Sequence, residues 1–117
     1  MRKIIIKRIY EKASDEDGYR ILVDRLWPRG IAKEEAQLDE WDKELAPSTE
    51  LRQWFDHQED KFPDFVQRYH EELISKIEDL KRLALLSEKR QICLLYGAKN
   101  EKMNQTVVLK SILEEIV

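Results

Sequence analysis

Residues 91–100 read QICLLYGAKN: five apolar residues follow a single polar one, then come a glycine and a polar tail. A continuous apolar run of this length, bounded by turn-forming residues, reads as a strand buried in a sheet, because a strand with one wet face would alternate. Two further strands follow from the same logic. Residues 3–9 carry Ile4, Ile5 and Ile6 in succession, which suits a strand buried on both faces. Residues 19–25 place Tyr19, Ile21 and Val23 on one face and Leu22 on the other. The polar, turn-forming stretch 10–18 separates these two, and Pro28 with Gly30 breaks the chain after the second.

Between the second and third strands the apolar period changes to that of helices. Residues 33–45 carry Leu38, Trp41 and Leu45 at helical spacing and stop before Pro47. Ser48 is placed to cap a short helix through Phe55 that turns Leu51, Trp54 and Phe55 inward. A longer helix starts near Pro63 and bears Phe65, Val66, Tyr69, Leu73, Ile77, Leu80 and Leu83 or Ala84, about six turns in register. Asn104 caps a last helix carrying Val108, Leu109, Ile112 and Ile116. Strands joined by a long helical crossover lie parallel in one sheet. The second and third strands meet that condition, whereas the first link is too short for an ordinary crossover and leaves the direction of the first strand open. The expectation is an α/β fold: an at least partly parallel three-stranded sheet flanked by helices, in one domain across all 117 residues without a linker.

Composition narrows the function. Hydrophobic residues at 42% and charged residues at 38% fit a packed core under a charged surface. The net charge of −3 disfavours a global electrostatic grip on nucleic acid, although a local basic patch keeps that partner among the options. Cys93 is the only cysteine, so no disulfide forms within the chain, and its place in an apolar run suggests a packed thiol in a reducing compartment. No stretch approaches the roughly 18 apolar residues of a membrane span, and the basic start MRKIIIKRIY has too short an apolar run for a signal peptide. The expectation is a cytoplasmic protein. No cofactor is called for, since no phosphate-binding loop, dinucleotide fingerprint or nucleophile elbow is present. No metal is expected either, because two histidines and one cysteine, widely spaced, match no common ligand set.

Ligands of open α/β sheets bind beyond the carboxyl ends of parallel strands. The second strand runs out into Asp24-Arg25-Leu26-Trp27-Pro28-Arg29-Gly30, and the third into Tyr96-Gly97-Ala98-Lys99-Asn100, followed by Met103-Asn104-Gln105 at a helix start. If the strands are parallel, these polar segments converge. Arg25 and Arg29 offer planar donors for carboxylate or phosphate, Trp27 a stacking surface, and Gly30 room for a ligand against the backbone. Lys99 adds charge, and the helix behind Asn104 presents free amides and a positive dipole end. A bland reading stands beside this one: Asp24 could pair with Arg25, Arg29 with Glu34 or Glu35, and Trp27 could be a core anchor. Asp24, His57 and Tyr96 are the weaker candidates for acid/base work, with His57 as readily a helix cap. The charge alternation over residues 71–90 reads as a solvated helix face, whose leftover apolar patch leaves monomer and homodimer both open.

Four blocks, LVDRLWPRG at 22–30, LAPSTELRQWFDH at 45–57, RYHEEL at 68–73 and LLYGAKN at 94–100, together resemble the YeaO-like family of bacterial domains of unknown function, DUF488. They occur in the family's order over nearly the whole chain. The resemblance implies a fold and a site, not an activity: an arginine-bearing loop after one strand and a polar motif with Cys or His after another. It also implies a His-Asn-His-like triplet after the YGAK block, where this chain has Met103-Asn104-Gln105 and only Asn104 matches. If those histidines serve catalysis or metal binding, this chain lacks that capacity. The leading expectation is a binder of a small anionic ligand, a nucleotide or phosphorylated metabolite, held by Arg25, Arg29 and Lys99. Its rivals are a hydrolase- or transferase-like enzyme using the same cleft, and a protein- or nucleic-acid-interaction module.

Overall fold

The computed structural model describes residues 2–116. Its sheet has four strands, all parallel, in the order β1-β4-β2-β3: β1 is Ile4–Arg8, β2 Tyr19–Leu22, β3 Glu40–Trp41 and β4 Ile92–Tyr96. The α/β class and the parallel pairing of the second and third expected strands hold. The expected count of three strands does not, because β3 adds an edge.

All five residues of β4 are buried, which is why its sequence does not alternate. Ile92 and Leu94 point to one face, with Ile4, Ile21 and Val23, against α2 (Thr49–Phe55), α3 (Phe62–Leu73), α4 (Ile77–Lys89) and α5 (Gln105–Glu115). Cys93 and Leu95 point to the other, with Leu22 and Ile9, under Trp27, Ile31, Leu38, Trp41 and the short helix α1 (Lys33–Ala36). Burial pushes the Cys93 thiol up to about 11, so it packs as a small apolar group. The isoleucine triplet lies elsewhere than its composition suggests: β1 is an edge strand whose Ile5 and Ile6 are half-buried.

The direction of the first strand is settled by its pairing, Ile4 with Ile92 through Arg8 with Tyr96, parallel to β4. Its link to β2 returns across the sheet with only one turn of 3-10 helix, Asp15–Asp17. Extended chain spans about 3.3 Å per residue, so the roughly ten linking residues reach about twice the length of a five-residue strand. No long helix is needed. Asp17 ends this link in a buried network. It accepts from the Ser14 N–H at 2.9 Å, Lys7 Nζ at 3.0 Å and Arg20 Nη1 at 2.6 Å. Burial alone would raise its pKa, but these three donors hold it below the ordinary value.

The helix expected over residues 33–45 stops at Ala36 because tertiary contacts end it. Arg20 Nε and Nη2 donate to the Ala36 carbonyl at 3.0 and 2.8 Å, Gln37 turns left-handed at φ 46°, and Asp39 accepts the Arg20 N–H at 2.8 Å. The chain then extends, and Glu40 and Trp41 pair with Ile21 and Leu22. Arg82 of α4 clamps this edge, reaching Glu40 at 2.6 Å and Asp42 at 3.3 Å. The long helix expected from Pro63 is also two: a 3-10 turn, Ile74–Lys76, separates α3 from α4 and leaves Ile77, expected in the core stripe, 41% exposed. The expected caps are present, Ser48 accepting from the Leu51 N–H at 3.1 Å and Asn104 from the Thr106 N–H at 2.9 Å.

Gly18 sets β2 against β4. It has φ +80°, and a Cβ added there would overlap the Gln91 carbonyl oxygen, which accepts the Tyr19 N–H at 2.9 Å. Gly18→Ala combines backbone strain with a clash against main chain. We expect it to lower the unfolding free energy by at least about 2 kcal/mol in urea titration; a loss of a few tenths would show that this junction adjusts freely.

Candidate ligand cavity at the carboxyl ends of the strands

Because β2 and β4 run parallel, their carboxyl ends share one edge, and a cavity of about 410 Å³ opens there. Its walls are the loop of residues 24–29, Pro47, Arg52 and Phe55 of α2 with His57 beyond, Gly97 and Ala98 after β4, and residues 103–105 at the start of α5, with Tyr10 and Phe65 completing it. The size falls within the roughly 300–1,000 Å³ of small-molecule sites, in the place such sheets favour. A larger depression of about 470 Å³, between Trp54 of α2 and Arg68 of α3, is more open and shares no lining residue with the strand-end cavity.

Among the described residues, Asp24 is the only carboxylate in this lining. Its Oδ2 accepts the Gly97 N–H at 2.9 Å, its Oδ1 accepts the Gln105 amide, and its own carbonyl takes the Trp41 indole N–H at 2.7 Å. The same Gln105 amide donates to the Val23 carbonyl at 2.7 Å, so α5 is latched to the end of β2. Gly97 is required by space: a Cβ there would lie 3.0 Å from Asp24 Oδ2 and 3.4 Å from Pro28. Burial drives Asp24 up to about 6, against the opposing pull of the Gly97 and Gln105 donors and the Arg52 charge.

Three arginines line the cavity in different states. Arg25 is held by backbone, donating from Nε to the Pro47 carbonyl at 3.1 Å and from Nη2 to the Ala46 carbonyl at 3.0 Å. It does not pair with Asp24. The corner it grips is fixed from behind by the buried Tyr69 hydroxyl on the Leu45 carbonyl, and by Glu72, which accepts from the Ser48 N–H at 2.9 Å and hydroxyl at 2.5 Å. The guanidinium groups of Arg29 and Arg52 make no hydrogen bond or ion pair among the described residues, so Arg29 does not bridge to Glu34 or Glu35. Only the main chain of Arg29 is secured, by the Tyr10 hydroxyl at 2.6 Å. The Tyr10 ring lies under the Arg8 guanidinium at 4.5 Å, whose Nε donates to the Ala98 carbonyl at 2.9 Å, tying the two strand-end loops together.

The remaining candidates separate. Trp27 borders the cavity but packs edge-on to Trp41 at 5.3 Å and donates to the Ile31 carbonyl at 2.8 Å, so it serves as wall and anchor together. His57 lines the cavity just past α2, where Asp56 and His57 take successive left-handed conformations at φ 46° and 55°. Each such residue costs on the order of 1 kcal/mol and is held by its surroundings. Asn104 lines the cavity as well, yet its side chain is occupied, capping Thr106 and donating to the Asn100 carbonyl at 2.8 Å. Gly30 and Lys99 lie outside the lining, with Lys99 exposed, and Tyr96 is buried away from it. Arg52 and Gln105 are functional candidates that the sequence did not single out for a role. The signal for Gln105 was its place beside the Asn104 cap; Arg52 offered none.

Residues 3–117 match the family model described as the inactive DUF488-N3 subclade. The chain is 48% identical over 110 residues to the uncharacterized protein YeaO of Escherichia coli (strain K12), covering 94% of this chain and 96% of that one. It is 46% identical over 71 residues to the uncharacterized proteins Mb3100c of Mycobacterium bovis and Rv3073c of Mycobacterium tuberculosis, covering 61% of this chain and 60% of each. No solved structure matches.

The raised Asp24 pKa sets a sign for stability. The folded state binds this proton more tightly than the unfolded chain, whose aspartate titrates near 3.9, so the stabilisation is present below pH ~4 and is lost as pH rises through about 6. Asp42 is also raised, by burial and by its neighbour Asp79, and acts in the same direction. The difference between wild type and Asp24→Asn therefore isolates Asp24. Denaturant titrations from pH 4 to 7 should show wild type losing about 2–3 kcal/mol relative to the variant. A constant difference would give Asp24 an ordinary pKa.

Proposed function

The chain belongs to the inactive DUF488-N3 subclade, and from that premise we propose that it binds a small anionic ligand, a nucleotide or a phosphorylated metabolite, in the strand-end cavity without transforming it. The observation that carries this reading is the pair of unengaged guanidinium groups, Arg29 and Arg52, both in the lining of a cavity whose surface is more apolar than polar. Guanidinium groups suit planar oxyanions because their donors form a fork. Arg25 contributes charge from a fixed position, and the first turn of α5, which carries no acidic residue, adds the positive end of an eleven-residue helix. Trp27, Phe55 and Phe65 supply apolar surface for the rest of the ligand.

The absence of turnover is supported by the subclade's description and by the lining itself. The positions where the family resemblance implies histidines hold Met103 and Gln105, both in the cavity wall. Met103 cannot move a proton, and Gln105 is latched to Val23 and Asp24. One observation favours the rival enzyme reading: Asp24, with a pKa of about 6, shares the cavity with His57. In that reading Asp24 is the base of a hydrolase- or transferase-like reaction. The reading also takes the protein as one domain in the cytoplasm, supported by the buried free thiol of Cys93; among the described residues no helix is long and apolar enough to cross a membrane.

The test is a thermal-shift and calorimetric screen against nucleotides, sugar phosphates and inorganic phosphate with wild type, Arg29→Ala and Arg52→Ala. A charge-assisted hydrogen bond contributes about 1.5–3 kcal/mol, so each substitution should weaken binding by at least roughly tenfold. Product formation that depends on Asp24 would establish the enzyme reading instead. Equal affinities in all three proteins would move the ligand away from this cavity.

A further inference from the structure

The anionic reading leaves Asp24 unexplained. A cavity meant only for phosphate gains nothing from an ionised carboxylate, yet one stands in this lining, held by one donor on each oxygen. An ionised carboxylate accepts about four hydrogen bonds, two on each oxygen. Among the described residues Oδ1 receives one, from the Gln105 amide, and Oδ2 receives one, from the Gly97 N–H. Each oxygen keeps one accepting position. Two adjacent acceptors held in one plane match a ligand edge with two parallel N–H donors, the same geometry by which a guanidinium grips a carboxylate.

Among the common nucleobases only guanine offers that edge, a ring N–H beside an exocyclic amino group. Adenine and cytosine set an amino group next to an acceptor nitrogen, and uracil sets its N–H between two carbonyls. The walls near Asp24 suit a flat heterocycle, with Pro28, Phe55, Phe65 and Met103 as apolar surface and Arg29 and Arg52 free for phosphate. Building on the anion-binding reading above, we propose that the cavity takes a guanine nucleotide, with Asp24 receiving the two N–H donors of the base while Arg29 and Arg52 hold the phosphate. A site that pairs with donors penalises an analogue lacking them more than an apolar pocket penalises a missing methylene, since its own polar groups are left unpaired.

Titration calorimetry of wild type with GMP, IMP, AMP, XMP and inorganic phosphate at pH 7.5 is the first experiment. GMP should bind at least tenfold more tightly than IMP, which lacks the amino group, and than AMP. Lowering the pH to 5 protonates Asp24 and should erase most of that preference. The other titratable or charged groups facing the cavity are Tyr10, Arg25, Arg29, Arg52 and His57. Their protonation acts on the phosphate common to every nucleotide, so the GMP-to-AMP ratio isolates Asp24. Asp24→Asn presents one donor and one acceptor, and should move the preference from GMP to XMP, whose corresponding edge pairs a ring N–H with a carbonyl.

If phosphate and all nucleotides bind alike and only the arginine substitutions weaken them, the base-reading role of Asp24 is overturned and the anion site stands. If GMP is preferred but Asp24→Asn keeps that preference with an unchanged melting profile, the base is read elsewhere and the proposal fails. If nothing binds, both readings fail together. The wild-type panel decides even when the variant does not fold.

Discussion

The backbone of β4 has no water to turn to. Ile92–Tyr96 is buried at every residue, with apolar side chains above and below, so its peptide groups must be paired along both edges. A buried donor or acceptor left without a partner costs about 1–3 kcal/mol, a large share of a small domain's stability. β1 satisfies one edge from Ile4 to Arg8, and β2 the other from Tyr19 to Leu22. The positions of the rest follow. Both flanking strands run with β4, their carboxyl ends meet at one edge, and the cavity is the space left where β4 turns away at Gly97 and the chain after β2 carries Asp24 past it.

Asp17, which is buried, and Asp24, which is partly buried, show how the fold divides its electrostatic work. Asp17 is met by a backbone N–H, a lysine and an arginine, and stays ionised below its ordinary pKa despite burial. Asp24 is met by a backbone N–H and an uncharged amide, and is pushed the other way, to about 6. Two charged partners decide the difference. The first arrangement closes a structural junction, since the same Arg20 that pairs with Asp17 also ends α1 at Ala36. The second leaves accepting positions open toward a cavity. Residues of one type thus serve opposite ends because of what stands within hydrogen-bond reach.

Much of this was legible in the chain. The alternation of Tyr19, Ile21 and Val23 against Leu22 matches the two cores, and Ser48 and Asn104 cap the helices that their positions announce. What the pattern missed depends on contacts distant in sequence. Leu38, Trp41 and Leu45 keep helical spacing, but Arg20 and Asp39 stop the helix, and no nearby glycine or proline advertises it. The break at Ile74–Lys76 likewise carries no local breaker. At the site, the convergence of the Arg29 loop with the start of α5 follows from strand direction alone. Arg52 was hidden because the facing of a short helix is set by packing. Lys99, one of many lysines by sequence, falls outside the cavity because the loop after Gly97 carries it into solvent.

The pairing of Ile4 with Ile92 also governs how the molecule comes into being. β1 and β2 come early in the chain, yet β4, which belongs between them, follows only after α2, α3 and α4, and before it β2 has β3 alone as a neighbour. Until β4 is in place, β1 and the β4-facing edge of β2 are unpaired strand edges with apolar surface attached. Contacts so far apart along the chain fold slowly and expose such intermediates to self-association. The basic residues Lys7 and Arg8 within β1 are the kind that discourage strands from pairing with the wrong neighbour. The sheet therefore joins β1 to β2 only through β4.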